Sequence, residues 1–211
     1  MAESWLLLTV STAGAPDSLR VQVWRRLRSL GAFYLHQGVC LLPARPETSR
    51  ALDRLAARVR HGGGTARLLH IALPAPEEEA AVIAGFQAER AAEYQELLDR
   101  LPEFTRELAA ERAKGRLTYA EVEESEADLA RFQRWLAKIA GRDYFSCPLA
   151  EQARSAVARC ADDLATFEAE AFSADTSTAD DAPARSGGRR RVDREDNPCS
   201  PTSWSASRSP C

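Results

Sequence analysis

Two short segments of this chain are apolar at almost every position, and they limit the folds that it can form. The first is WLLLTVS at residues 5–11, and the second is VCLLP at residues 39–43. A strand that is apolar on both sides has to be buried on both faces of its sheet. The two segments are therefore predicted to be central strands, with protein packed above and below them.

Helical segments and two further strands alternate with these two runs. Apolar residues recur at helical spacing in residues 17–30 and again from Pro46 to about residue 60. AFYLH at 32–36 precedes the turn signal Gln37-Gly38, and ARLLHIAL at 66–73 supplies a last strand. The resulting order is βαββαβ. It predicts an α+β, ferredoxin-like antiparallel sheet in which the first and third strands are central.

Residues 75–172 are predicted to form a helical hairpin and a third helix. Apolar residues fall at seven-residue steps from about residue 90 to 108 and again from 122 to 139, which is typical of helices that share a seam. Pro102 predicts a kink or a break in the first of these helices. The two helices of the first part can cover only one face of its sheet. Either residues 75–172 or a second copy of the domain is expected to cover the other face.

Residues 173–211 have no apolar periodicity and are rich in Ser, Pro, Asp and Arg. Such a composition does not support a packed core, so this segment is predicted to be a disordered tail that folding does not need. The sequence thus divides into a ferredoxin-like domain at 1–74, a helical region packed on it at 75–172, and the tail.

Charge is distributed unevenly along the chain, although the net charge is only −3. Residues 17–70 contain ten arginines and three acidic residues, whereas residues 76–172 contain 12 basic and 21 acidic residues. Two interpretations follow from this segregation. The basic part binds an anionic partner such as DNA, or it docks on the acidic part of its own chain.

Six arginines are candidates for contact with DNA because helical spacing places them in rows. They are Arg20, Arg25 and Arg28 in the first helix, and Arg50, Arg54 and Arg58 in the second. Guanidinium groups in a row suit phosphate oxygens. The alternative is an ordinary solvated helix face. Trp24, which lies among the arginines of the first helix, is interpreted as a half-buried core residue rather than a stacking platform.

Other classes of site find little support in the sequence. His36 and His70 fall in opposite edge strands, roughly 14 Å apart at about 4.8 Å per strand, which is too far for a shared zinc ion. HGGG at 61–64 lacks the Lys-Ser/Thr of a phosphate-binding P-loop. The residues show no persuasive catalytic set. We therefore expect no metal, no cofactor and no enzyme activity.

The five cysteines have neither metal-ligand spacing nor a dense secreted pattern, and no apolar run approaches the roughly 20 residues of a membrane span. We therefore expect reduced thiols and a cytoplasmic protein without a membrane partner.

Three segments together carry a resemblance to a known family. They are WLLLTVS at 5–11, VWRRLRSLGAFYLHQGVCLLP at 23–43, and LTYAEVEESEADLARFQRWLAKIAGRDYF at 117–145. Over residues 5 to about 172 the chain resembles the N-terminal domain of the bacterial chromate-resistance regulator family ChrB. The middle segment alone is also similar to a motif of the phenylacetate-pathway repressor PaaX.

The resemblance implies a transcriptional regulator that binds promoter DNA and is released by chromate. Chromate is a tetrahedral dianion, and arginine beside a helix start suits such an anion. Arg45, just before the Pro46 helix, is the candidate residue, and its alternative is an exposed loop charge. Full-length members continue into a second domain, in whose place we expect the tail. The runner-up function is a non-catalytic interaction or dimerisation module that does not bind DNA and forms a homodimer through its sheet face or its helical seam.

Overall fold

The computed structural model describes residues 4–115 and 118–180. Strands and helices alternate in the predicted order, and three long helices follow them. The elements are β1 (Trp5–Ser11), α1 (Asp17–Ser29), β2 (Phe33–His36), β3 (Val39–Pro43), α2 (Pro46–His61), β4 (Thr65–Ile71), α3 (Pro76–Ala113), α4 (Tyr119–Ala140) and α5 (Leu149–Asp180).

The four strands form one antiparallel sheet in the order β2-β3-β1-β4. Leu7 of β1 lies opposite Leu41 of β3 on one side and opposite Leu69 of β4 on the other. The two apolar segments are therefore the central strands, and β2 and β4 are the edges. This arrangement confirms the predicted α+β class and the predicted place of each strand.

The helices α1 and α2 cover one face of the sheet. Leu6 and Leu8 of β1 point towards this face and pack with Leu27 of α1 and Leu52 of α2, and all four side chains are buried. Burying each such side chain contributes on the order of 1.5–3 kcal/mol. The apolar stripes predicted for both helices are thus the surfaces that attach them to the sheet.

The end of α1 is fixed by Gly31, which has a φ of +65°. The Gly31 amide donates to the Arg28 carbonyl at 3.0 Å, and the Ala32 amide donates to the Leu27 carbonyl at 3.1 Å. This pair of bonds closes a helix with a residue in the left-handed region, where glycine meets no steric cost. The chain therefore leaves α1 at the position that the sequence predicted.

The opposite face of the sheet is covered by the first part of α3. Trp5 and Leu41 pack there against Phe86, and the ring centroids of Trp5 and Phe86 are 5.9 Å apart. The helix approaches closely at Gly85, where a Cβ atom would lie 2.6 Å from the Phe33 ring. Of the two predicted covers, the helical region of the same chain is the one that the structure shows.

The second half of α3 packs with α4 and α5 in a three-helix bundle that has its own core. The predicted seam is buried at Tyr94, Leu97, Leu101, Phe104, Leu108, Val122, Leu129, Phe132 and Ile139. From α5, Ala153, Val157, Cys160, Leu164 and Phe167 join the same core. The predicted hairpin and third helix are confirmed, and α3 belongs both to the sheet layer and to the bundle.

The helix α3 continues through Pro102. A proline inside a helix removes one backbone donor and usually disturbs the preceding turn. Here the Pro102 carbonyl accepts from Thr105 Oγ1 at 3.3 Å and from Arg106 Nε at 3.2 Å. Of the predicted kink or break, the break does not occur, since packing of the flanking turns in the bundle keeps them helical.

The helix α5 reaches Asp180, so the predicted tail boundary at Phe172 falls inside it. Extending an existing helix avoids the cost of a new nucleus, and residues 173–180 contain neither Gly nor Pro. The tail predicted to begin at residue 173 therefore starts with helical backbone. The prediction of disorder for residues 181–211 lies outside the described residues.

Cys40 is expected to resist alkylation in the folded protein. Its side chain is buried in β3, and burial raises the pKa of the thiol to about 12. Only the thiolate reacts, and at pH 8 a thiol with that pKa is ionised to a fraction on the order of 10⁻⁴. Iodoacetamide followed by mass spectrometry should modify Cys40 in concentrated urea and leave it unmodified in native buffer. Rapid native labelling would contradict its burial.

Candidate functional site

A groove of about 530 Å³ runs between α1 and α2 on the side away from the sheet. We call it the basic groove. Four arginines contribute to its walls, two from each helix. Its lining consists of Gln22, Arg25, Arg26, Ser29, Ala51, Arg54, Leu55 and Arg58.

The basic groove follows from the helical periodicity of α1 and α2. Each helix turns its apolar stripe to the sheet, as Leu27 and Leu55 do, and the next positions around each helix are polar. Two helices that lie side by side on one sheet face then bring these flanks together. The arginines of the two helices face each other because the apolar stripes of α1 and α2 hold both helices on the sheet.

The arginines of the basic groove are exposed and are not neutralised by carboxylates. Arg58 Nη1 donates to Gln22 Oε1 at 3.2 Å, and no acidic residue lines the groove. Among the side chains of residues 4–115 and 118–173, no ion pair involves Arg25, Arg26, Arg54 or Arg58. The groove is therefore a concentrated positive surface that is open to an anionic ligand.

The six predicted arginines are all exposed but do not form one site. Arg25, Arg54 and Arg58 line the basic groove, and Arg50 lies one turn before Arg54 without lining it. Arg20 lines a different groove, on the far flank of α1, and pairs with Asp17 at 3.8 Å. The first helix contributes Arg26 instead, which the four-residue spacing of the predicted row did not include.

Trp24 is not a core residue, so the prediction that placed it in the core is wrong. Its side chain is 50% exposed, and the guanidinium carbon of Arg28 lies 5.3 Å from the centroid of its ring. The buried positions of α1 are Leu19, Val23 and Leu27. Trp24 follows Val23 by one residue, which is a rotation of about 100° away from the centre of that stripe.

Arg45 lies at the start of α2, where it was predicted, but its guanidinium has a protein partner. Nη2 donates to the backbone carbonyl of Tyr144 at 2.6 Å, and the guanidinium carbon is 5.1 Å from the centroid of the Tyr144 ring. Its backbone amide donates to Thr48 Oγ1 at 3.1 Å. Arg45 therefore holds the α4–α5 loop against the sheet domain.

The same loop is bonded to the end of α1. Tyr144 Oη donates to the Leu30 carbonyl at 2.7 Å, and Arg142 Nη1 donates to the Arg28 carbonyl at 3.4 Å. Carbonyl groups at the end of a helix lack partners within the helix. The loop thus donates to two carbonyls at the end of α1, so a helix of the basic groove is attached directly to the helical region.

A buried charge cluster lies beside this attachment. Arg90 is 5% exposed and pairs with Glu93 at 3.2 Å and with Glu89 at 3.4 Å, while Arg142 pairs with Glu93 at 3.0 Å. Burial raises the pKa of Glu89, and the charge of Arg90 opposes this rise. Arg90 lies at the start of the predicted seam, but the sequence gives no indication of Arg142, because a pair 49 residues apart leaves no local pattern.

The structure adds two findings on metal and membrane sites. In the described part of the chain, no three or more His, Cys, Asp and Glu side chains come together in a way that could hold a metal ion. His36 and His70 lie in β2 and β4, at opposite edges of the sheet. None of the described helices combines the length and the apolar character needed to cross a membrane.

The comparison with known proteins agrees with the resemblance drawn from the three sequence segments. The family model described as Protein ChrB, N-terminal, matches residues 20–178, which include both helices of the basic groove and most of the bundle. The chain belongs to the ChrB N-terminal family. The family prediction made from the sequence is thereby confirmed.

A curated relative of this ChrB-family chain is Protein ChrB of Cupriavidus metallidurans. The two are 30% identical over 123 residues, which make up 58% of this chain and 34% of the relative. The ChrB-family chain thus spans 34% of the length of that relative.

Proposed function

We propose that this chain is the DNA-binding part of a bacterial chromate-resistance regulator of transcription, and that it acts by binding rather than by catalysis. The observation that carries the proposal is the convergence of Arg25, Arg26, Arg54 and Arg58 in one groove with no carboxylate among its lining residues. Membership of the ChrB N-terminal family supports it.

The chemistry of the basic groove suits the backbone of duplex DNA. Arginine binds phosphate oxygens through two N–H donors at once, and each neutralised phosphate releases counterions. The acidic bundle on the other side of the molecule repels polyanions and so favours binding through the groove. The proposal therefore assigns phosphate contacts to the α1–α2 surface.

In this proposal chromate acts through the loop that joins the bundle to α1. Arg45 remains the candidate residue for the oxyanion, and its guanidinium now holds the Tyr144 carbonyl at 2.6 Å. An oxyanion bound to Arg45 would compete for the same N–H donors. Since Tyr144 also bonds the Leu30 carbonyl at the end of α1, loss of the Arg45 contact would be transmitted to the basic groove.

A titration with labelled promoter DNA tests this function. The probe is a fluorescent duplex from the region upstream of the gene that encodes this chain, and anisotropy reports binding. We expect a Kd below about 1 µM at physiological salt, tighter than the usual non-specific range at that salt. Chromate should raise the Kd, whereas sulfate at the same concentration should not. Equal affinity for a scrambled duplex, or equal effects of the two anions, would contradict the regulator function.

A second candidate function is an interaction module that forms a dimer without DNA. It is favoured by two exposed leucines on the edge strands, Leu35 at 40% and Leu69 at 47%, and Leu69 lies on the same sheet face as Leu7 and Leu41. Sedimentation velocity over a range of protein concentrations tests it. A dimer that dissociates when Leu35 and Leu69 are replaced by serine, in a protein without DNA affinity, would favour this function.

A further inference from the structure

A second groove, of about 980 Å³, lies on the flank of α1 that faces the edge strand β2. Its lining includes the buried Val23 and Leu27, the exposed aromatic residues Trp24 and Tyr34, and the exposed Arg20. We call it the aromatic groove. Neither the family match nor the proposed phosphate contacts assign a role to it.

The aromatic groove exposes apolar surface that a folded domain usually buries. Trp24 is 50% exposed, Tyr34 is 39% exposed and Val21, beside them, is 44% exposed. Large apolar side chains that are grouped and exposed mark binding surfaces more often than single ones do. Both aromatic side chains line this groove, and aromatic rings are surfaces on which planar ligands stack.

Charge determines which partner fits. Arg20 lines the groove, Arg28 lies over the Trp24 ring at 5.3 Å, and no carboxylate is among the lining residues. A second copy that presented the same surface across a twofold axis would bring arginines against arginines. An anionic ligand with a planar group satisfies both the rings and the guanidinium groups, as in proteins that stack unpaired bases.

We propose that the aromatic groove binds an unpaired base of DNA, stacked on Trp24, while Arg20 and Arg28 contact the flanking phosphates. The inference rests on the proposed DNA binding and extends it from phosphates to a base. Arg25, on the exposed side of α1, lies between the two grooves. A helix with its side chains is about 10–12 Å across, a distance that about three nucleotides of one strand span. One strand can therefore occupy both grooves.

Two matched DNA probes test the inference with the full chain at one salt concentration. One is a perfect 20-base-pair duplex, and the other is the same duplex with a three-nucleotide gap in one strand. The wild type is expected to bind the gapped probe about 10-fold more tightly, because stacking contributes roughly 1–3 kcal/mol per base. Trp24→Ala should remove this preference and change affinity for the perfect duplex less than about two-fold, since stacking is absent there.

Two further variants make the result specific to an aromatic ring at position 24. Trp24→Phe should keep most of the preference for the gapped probe, because a phenyl ring still stacks. Tyr119→Ala removes an aromatic side chain that is 80% exposed at the start of α4, and it should behave as the wild type. If both variants behave in this way, the preference for the gapped probe depends on an aromatic ring at position 24.

The outcomes separate this inference from the proposed function. Binding of the perfect duplex without preference for the gapped probe, or a preference that survives in Trp24→Ala, would overturn the inference and leave the proposed function standing. Failure to bind either probe at low salt would overturn both. A change in oligomeric state of Trp24→Ala, with unchanged binding of both probes, would identify the groove as a protein interface and also overturn the inference.

Discussion

Replacing Arg25, Arg54 and Arg58 together with alanine is expected to weaken binding of promoter duplex by about 10- to 100-fold at low salt. An exposed ion pair contributes on the order of 0.5–1 kcal/mol, and the variant removes three. Phosphates carry no sequence information, so the loss should be similar for every duplex. The slope of log affinity against log salt should flatten by about 0.9 for each lost contact. Anisotropy titrations at several salt concentrations measure both quantities.

A matched variant distinguishes the effect of losing the groove arginines from the effect of lowering the net charge. Arg100, Arg134 and Arg159 are exposed on the helical bundle, and their replacement by alanine removes the same charge. At physiological salt, where the Debye length is about 8 Å, this control should change affinity by less than about three-fold, since screening weakens distant charges. Both variants should unfold with nearly the wild-type free energy, because exposed substitutions usually change it by no more than about 0.5 kcal/mol each. Equal losses of affinity in the two variants would contradict a specific role of the groove.

Phe86→Ala is expected to lower the free energy of unfolding by about 3–5 kcal/mol, the usual cost of deleting a buried aromatic ring. Phe86 is 2% exposed, and its ring centroid lies 5.4 Å from that of Phe33 and 5.3 Å from that of Phe145. The ring fills the space between α3 and the sheet. Urea denaturation followed by circular dichroism gives the free energy.

An exposed aromatic residue is the control for Phe86. Tyr119→Ala should change the free energy of unfolding by no more than about 0.5 kcal/mol, because its side chain is largely in solvent. A loss below about 1 kcal/mol for Phe86→Ala would mean that α3 does not form the second cover of the sheet.

The sheet could be predicted from the sequence because the residues of its central strands alone indicate that these strands are buried. Leu6 and Leu7 point to opposite faces, and only a central strand is apolar on both. The seam of the bundle could also be predicted, since Leu97 and Phe104 repeat at the seven-residue spacing of packed helices. The sequence could not decide which segment covers the second face of the sheet, because the contact between Phe86 and Trp5 joins segments far apart in the chain.

The candidate site could be predicted only in part. Periodicity places Arg54 and Arg58 on one side of a helix, but it does not say which flank of α1 will face them. That flank depends on how α1 is rotated over the sheet, and the rotation brings Arg26 into the basic groove and leaves Trp24 exposed. The attachment of Arg45 to Tyr144 depends on tertiary packing and has no sequence signal.

Photo-cross-linking from inside the basic groove can show whether duplex DNA binds there. A p-benzoylphenylalanine residue in place of Gln22 would lie within the groove, and one in place of Gln133 would lie on the exposed surface of α4. On irradiation with labelled promoter duplex at low salt, we expect a covalent protein–DNA product from position 22 and little from position 133. Cross-linking from position 133 alone, or from neither position at saturating DNA, would contradict binding through the α1–α2 arginines.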